Sequence, residues 1–564
     1  MNISPFDVVV IAIYLIGITG FGIWVGYRKN ASSDQYFLAN KSLGWFTIGA
    51  AVFTSNISTI HLVGLAAGGA GDGMVIGNFE WMACFTLMLL ALVFTPFYVK
   101  SGAHTLPDFM ERRYCPSART FMAVIGILGA LLIHIGISLF AAAKVFQSFL
   151  GIQMMTTILV LSAFTVVYTV LGGLKAVVLT ENIQAGLLLF SAGLVTVLAI
   201  AALPDVGIRD MASFKLALQP GQLNMLQPIH NTDGHLNQYS WLAILLGYPI
   251  LGIWYWCADQ TLVQRVLAAH SVKEGQNGVL FAGFLKITPT FLMVLPGVVG
   301  YVLWQKGLFQ IPNVPGTNDP DYNAMLPMLI NHLVPAGLKG LLAAGMAAAL
   351  MSTIAAALNS CATLISIDIV QRSRPDMPDQ SVVQVGRIAT AVIMVLAILW
   401  STQGEQFGTI FEAINKIPMT FAPAVTTVLS LGLLWKRGTW QAALTTLYVG
   451  SIIGVVYFVV DMPVSGELLA GIPAGSGFDG LVTDHARGLG IPFMLVGPMI
   501  AALCIVIYIV TSLLTPAMDQ EKVSKVCWDS PLACLQGPVS GVTDPRIVTL
   551  ILVSLLAVLY IWLR

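Results

Sequence analysis

Apolar runs of membrane length recur from Pro5 to Leu563, and that recurrence leaves the chain few ways to fold. Inside a bilayer no water pairs a backbone N–H or C=O, so a spanning segment has to pair its own groups as a helix. One crossing takes about 20 residues. On that measure spans fall at 5–27, 41–70, 74–99, 120–149, 154–172, 182–203, 239–263, 277–304, 333–367, 386–402, 407–435, 440–462, 489–515 and 547–563. The expected fold is all-α, a polytopic membrane protein of about fourteen transmembrane helices. A content of 57% hydrophobic and 10% charged residues excludes an ordinary soluble domain. The first span lacks a basic leading region and a small-residue cleavage site, so it is expected to stay as a span rather than act as a signal peptide.

The 27 Lys and Arg residues are spread unevenly over the loops. With the N-terminus outside, Arg209, Lys215, Lys306, Lys339, Arg487 and Arg564 fall outside, and Lys144, Lys286 and Lys416 fall within spans. All the others, Lys175 and Arg265 among them, reach the cytoplasm, as the positive-inside rule requires. The expected location is therefore the plasma (inner) membrane, multi-pass, with the N-terminus outside. A net charge of zero indicates no nucleic-acid partner. The seven cysteines show neither CxxC nor Cys/His metal spacing and read as reduced residues, so no cofactor is expected.

Span 41–70 carries a polar interruption. Thr54, Ser55, Asn56, Ser58, Thr59 and His61 fall near the bilayer midplane, where polar groups are costly unless they line a water- or ligand-filled cavity. A second candidate break, Gly247-Tyr-Pro249-Ile-Leu-Gly252, lies in span 239–263. Paired interruptions in corresponding halves point to a secondary transporter's binding site. Five crossings fall in 41–203 and five in the 239–435 part of block 239–462, an odd number each, so the second set enters from the opposite face. The expected core is a five-plus-five inverted repeat with two discontinuous helices. Around it lie an extra span and first loop (1–40), an external loop (204–238), and a C-terminal part with two spans (463–564).

Ionisable groups at membrane depth narrow the candidate site. Glu80 and Lys286 either hydrogen-bond the hydroxyls of a neutral solute from one cavity or form a structural ion pair between helices. Asn56 and His61 supply donors and acceptors suited to a sugar, or else cap and pack the break. Trp254-Tyr255-Trp256 offers faces on which a pyranose can stack, although such a run also serves plain packing. The small-residue stretch 341–360 permits close helix packing, and its adjacent Ser352 and Thr353 hydroxyls also make a hard-oxygen site for Na⁺. Glu412, Asn415 and Lys416 stand beside Pro418; Asn415 is a candidate to face the cavity, whereas Glu412 and Lys416 read as a helical pair.

Several long stretches resemble the solute:sodium symporter family and, within it, the sodium/glucose cotransporters. They include SNISTIHLVGLA (55–66), FEWM (79–82), PFYVKSGAHTLPDFMERRY (96–114), GGLKAVVLTENIQ (172–184), WYWCADQTLVQRVLAA (254–269), FLKITPTFLMVLPG (284–297) and AALMSTIAAALNSCATLISIDI (348–369). The resemblance runs from about residue 5 to 460 and weakens beyond 465. It implies sugar contacts at Asn56, His61, Glu80, Lys286 and Asn415. It implies an inner aromatic gate at Tyr255 with Trp256, and an outer hydrophobic gate at Leu65, Phe79 and Phe411. Sodium would be held by backbone carbonyls of Thr54, Ile57 and Ala349 and by the hydroxyls of Ser352 and Thr353. Three positions depart from the family pattern: Asn415 replaces the usual Gln, Glu181 the usual Asp, and Ala355 stands where two-sodium members can have a hydroxyl.

What the resemblance implies is a sodium-coupled symporter of a hexose or related polyol, working by alternating access, with one Na⁺ per solute. The partners are the solute, Na⁺ and the lipid bilayer; no enzyme activity is expected. The alternatives are a same-family carrier of myo-inositol, sialic acid or a carboxylate, and a solute sensor or uncoupled channel.

Overall fold

The computed structural model describes residues 4–27, 31–230, 234, 236–314, 318–335, 337–403, 417–461, 491 and 493–564. Nearly all of it is helical, and among the described residues no β-strand forms, only isolated bridges. Eleven helical stretches are long and apolar enough to cross a bilayer, twelve when one sharply bent pair counts as a span. The expected count of fourteen depends in part on span 407–435, whose first residues lie outside the described ones.

The bent pair is the polar interruption. Trp45–Asn56 ends at Ile57 (φ −80°, ψ 107°), Ser58 is extended, and Thr59–Gly71 continues at an angle of 62°. Before the break, the Thr54 hydroxyl donates back to Ala50 O (2.7 Å), and the single Ser55 hydroxyl proton is shared between Ala51 O (2.6 Å) and the Glu181 carboxylate. After it, the Ser58 N–H donates to His61 Nδ1 at 3.2 Å, so the side chain of the new first turn caps its own helix.

The second break stands elsewhere than expected. Trp241–Gly252 runs helically through Gly247 and Pro249, continues as a π-helical turn over Ile253–Ala258, and breaks at Asp259 (φ −85°, ψ 121°). Gln260–Leu267 then resumes, capped by Asp259, which accepts the Thr261 N–H at 2.7 Å. Gly247 serves close packing instead of unwinding, since a Cβ there would lie 2.1 Å from Met494 O on the Phe493–Leu514 helix. Gly247→Ala is therefore expected to cost about 1–3 kcal/mol. A lowered melting temperature in detergent would show it, while Gly193→Ala, whose Cβ meets nothing within 4 Å, leaves melting unchanged.

A further correction concerns residues 173–181. No loop separates spans 154–172 and 182–203; Met154–Ala201 is helical throughout except at Gly173. Straight, its 48 residues would reach about 70 Å, more than twice the hydrocarbon core. The fold occurs in one residue: Gly173 has φ +60°, and a Cβ would lie 2.6 Å from Tyr36 O. Arg265, expected in a cytoplasmic loop, is fully buried. It holds Glu181 at 2.6 Å, and Glu181 also accepts the Ser55 hydroxyl at 3.0 Å.

At the centre lies Leu338–Thr363, buried along nearly its whole length and packed against Met154–Ala201 and Pro5–Gly26. Its alanines and glycine let helices approach closely: a Cβ at Gly345 would lie 2.2 Å from Ser191 Oγ. The small-residue stripe is thus a packing surface, and it also presents Ser352 and Thr353 to the break in the second span.

Candidate functional site

A helix that stops mid-membrane leaves its last carbonyls without intrahelical partners. Here those are the carbonyls of Thr54 to Ile57, and the buried Leu338–Thr363 helix lies across them. The Ser352 hydroxyl donates to Thr54 O (3.2 Å) and Ala349 O (2.9 Å), and Thr353 to Ile57 O (3.5 Å) and Ala349 O (3.2 Å). Thr54, Ile57, Ala349, Ser352 and Thr353, distant in sequence, thus form one cluster of uncharged oxygens. Hard oxygens without a carboxylate suit a small monovalent cation.

Beside this cluster opens a cavity of about 120 Å³. Asn56, His61, Leu65, Phe79, Glu80, Tyr255, Trp256, Lys286 and Thr353 line it, so most of the expected residues meet in one place. Asn415 and Phe411 lie outside the described residues. The cavity shares Thr353 with the oxygen cluster, so cation and solute sites adjoin through the break.

Helix ends place the two charges. Glu80 lies in the first turn of Asn78–Leu89, where a carboxylate is favoured, and Lys286 ends Val272–Leu285, where a cation is favoured. Trp81 Nε1 donates to Ile287 O (3.3 Å) and Cys84 Sγ to Gly283 O (3.2 Å), fixing one helix against the other. Lys286 Nζ then meets Glu80 Oε2 at 2.5 Å, and it lies 5.4 Å from the Trp256 ring centroid. Both side chains are almost fully enclosed.

Polarity can be assigned for the remaining groups. His61 Nδ1 accepts from Ser58 N–H, so its Nε2 carries the proton and is a donor. Asn56 Nδ2 donates to Tyr255 OH at 3.0 Å, while Asn56 Oδ1 is buried with no partner. Donors and acceptors thus alternate around a net-neutral pair, a pattern matched by hydroxyls, each of which can give and accept a hydrogen bond.

A second recess of about 340 Å³ is lined by Val63, Gly64, Asp72, Tyr239, Asp321 and Tyr322 among others. Phe79 stands between the two spaces: its ring lies edge-on to Tyr239 of the recess (6.1 Å) and to Tyr248 of the cavity (6.2 Å). His134 and Ser138 also line the cavity, and Asp259 holds His134; none of the three was singled out from sequence. A signal was present, since His134 and Asp259 are titratable groups inside expected spans.

A cavity where a broken membrane helix meets a second interrupted one is the architecture of a secondary transporter, not of an enzyme. The sequence model of the Sodium:solute symporter family matches residues 36–450, and the chain belongs to that family. It is 33% identical over 480 residues to a sodium/glucose cotransporter of Vibrio parahaemolyticus, covering 82% of this chain and 87% of that one. It is 29% identical over 480 residues to sodium/myo-inositol cotransporter 2 of Mus musculus, covering 82% and 71%. In fold it is similar to a substrate-bound, outward-open Na⁺-coupled sialic acid symporter, at a TM-score of 0.74, 20% identity and coverage of 92% and 99%.

Proposed function

We propose that the protein imports a hexose or related polyol together with Na⁺, by alternating access across the plasma membrane. The observation that carries this reading is the contact between the oxygen cluster and the cavity through residues 54–58. A cation bridging Thr54 and Ile57 to Ser352 and Thr353 would hold the broken span in place, and that span also presents Asn56 and His61 to the solute. Coupling is then the differential affinity of each ligand for the two access states.

In this reading Asn56, His61, Glu80, Lys286 and Asn415 bind the solute. Leu65, Phe79 and Phe411 gate the outer side, and Tyr255 with Trp256 gates the inner side. The N-terminus is outside, and residues 41–203 and 239–462 are the two inverted repeats. One Na⁺ enters per solute. The membrane potential contributes ~2.3 kcal/mol per charge per 100 mV, about fifty-fold in solute accumulation. Support for a neutral polyhydroxylated solute comes from Glu80, already neutralised by Lys286, and from relatives that carry glucose or myo-inositol.

Radiolabelled uptake into proteoliposomes tests it, with an inward Na⁺ gradient against K⁺ and a panel of hexoses, myo-inositol and sialic acid. Concentrative uptake of a hexose or polyol only in Na⁺ is expected. Uptake unchanged in K⁺, or confined to sialic acid, would refute it.

A further inference from the structure

The cavity wall holds one member, His134, of a second buried acid–base pair to which the mechanism above gives no role. His134 stands on a π-helical stretch, Ala130–Ile137, and Asp259 at the break of the Trp241–Leu267 segment. Their Nε2 and Oδ2 are 2.6 Å apart, with side chains only 6% and 7% exposed. Both carboxylate oxygens are engaged, Oδ1 by the Thr261 N–H and Oδ2 by the imidazole. An acceptor-only carboxylate requires a donor, so His134 Nε2 carries a proton and the ring is held in one orientation. Nδ1 makes no hydrogen bond among the described residues, and the ring lines the cavity, 5.6 Å from that of Tyr255. A simple helix–helix tie would not need the placement on the cavity wall.

The geometry points to His134 as a further solute-contacting residue, positioned by Asp259, whose Nδ1 accepts a hydrogen bond from one hydroxyl of the solute. The inference rests on the cavity being the hexose or polyol site. His61 has the opposite polarity, with Nδ1 taken by Ser58 N–H and Nε2 free to donate. The two imidazoles therefore present one donor and one acceptor, and the hydroxyl beside His134 has to donate. A hydrogen or fluorine at that carbon cannot.

The test compares uptake of the transported sugar or polyol with that of its monodeoxy and monodeoxyfluoro analogues, in proteoliposomes of wild type, His134→Leu and His134→Gln. In wild type, both analogues at one carbon are expected to have KM about ten-fold higher. His134→Leu raises the parent KM by a similar factor and abolishes the penalty at that carbon alone. His134→Gln, which keeps an N–H for Asp259 and an acceptor oxygen, recovers part of both. The half-saturating Na⁺ at saturating solute stays unchanged. An unaltered KM and analogue profile in His134→Leu overturns the inference and leaves the pair as a packing tie. Should that variant not fold, His134→Asn decides by the same criterion, because its shorter amide withdraws the acceptor from the cavity. If wild type carries no hexose or polyol, the functional reading falls and this inference with it. If wild type transports and only the analogue profile is unmoved, this inference alone falls.

Discussion

Glu80→Gln is expected to raise the KM for solute about a hundred-fold, a hydrogen bond to a charged group being worth ~1.5–3 kcal/mol. Its Oε2 is held by Lys286 at 2.5 Å inside an enclosed cavity, so the substitution also leaves an ammonium without its counter-charge. Removing one partner of a buried pair costs about 3–5 kcal/mol, and the single variant will be less stable as well as weaker in solute affinity. Stability and recognition separate in the double variant Glu80→Gln/Lys286→Met. With both charges gone, thermal stability in detergent should return close to that of the wild type, while solute affinity stays lost. Recovery of transport along with stability would make the pair a structural tie and remove it from the solute site.

Ser352→Ala is expected to raise the half-saturating Na⁺ concentration about ten-fold or more, because one hydroxyl of a five-oxygen cluster disappears and each such ligand is worth about 1.4 kcal/mol or more. Two readouts check it. Uptake at saturating solute, titrated with Na⁺, should reach the wild-type rate only at high Na⁺. In the absence of solute, Na⁺ at a hundred times its Kd should stabilise the wild-type protein by about 2.7 kcal/mol relative to K⁺, and the variant far less. The second readout needs no knowledge of the cargo. An equal Na⁺-dependent rise in melting temperature for both proteins would place the cation elsewhere.

Much of the candidate site was legible because its signals are local. Six polar side chains between Thr54 and His61 cannot lie in a continuous lipid-facing helix, and Ser352 and Thr353 are adjacent hydroxyls in an otherwise apolar stretch. Glu80 and Lys286 stood out as charges at membrane depth, and an ion pair between them was one of two readings open until the structure joined them across more than two hundred residues. The second break was misplaced because glycine and proline have several uses. Gly247 lies against Met494 O, and nothing near it in sequence distinguishes that use from unwinding. Asp259, the residue that marks the break, was passed over among the residues of span 239–263 although it is ionisable.

Sequence alone determined that this chain crosses a membrane many times as helices, and that one of them opens near its middle. Both follow from the cost of unpaired polar groups in hydrocarbon, which acts on each segment separately. Only the tertiary structure decided where the second helix opens, that Gly173 folds Met154–Ala201 within one residue, and that Arg265 is buried against Glu181. It also joined His134 to Asp259. These depend on which helices lie side by side, and a buried charge or a close backbone approach can be recognised only once its partner is in contact.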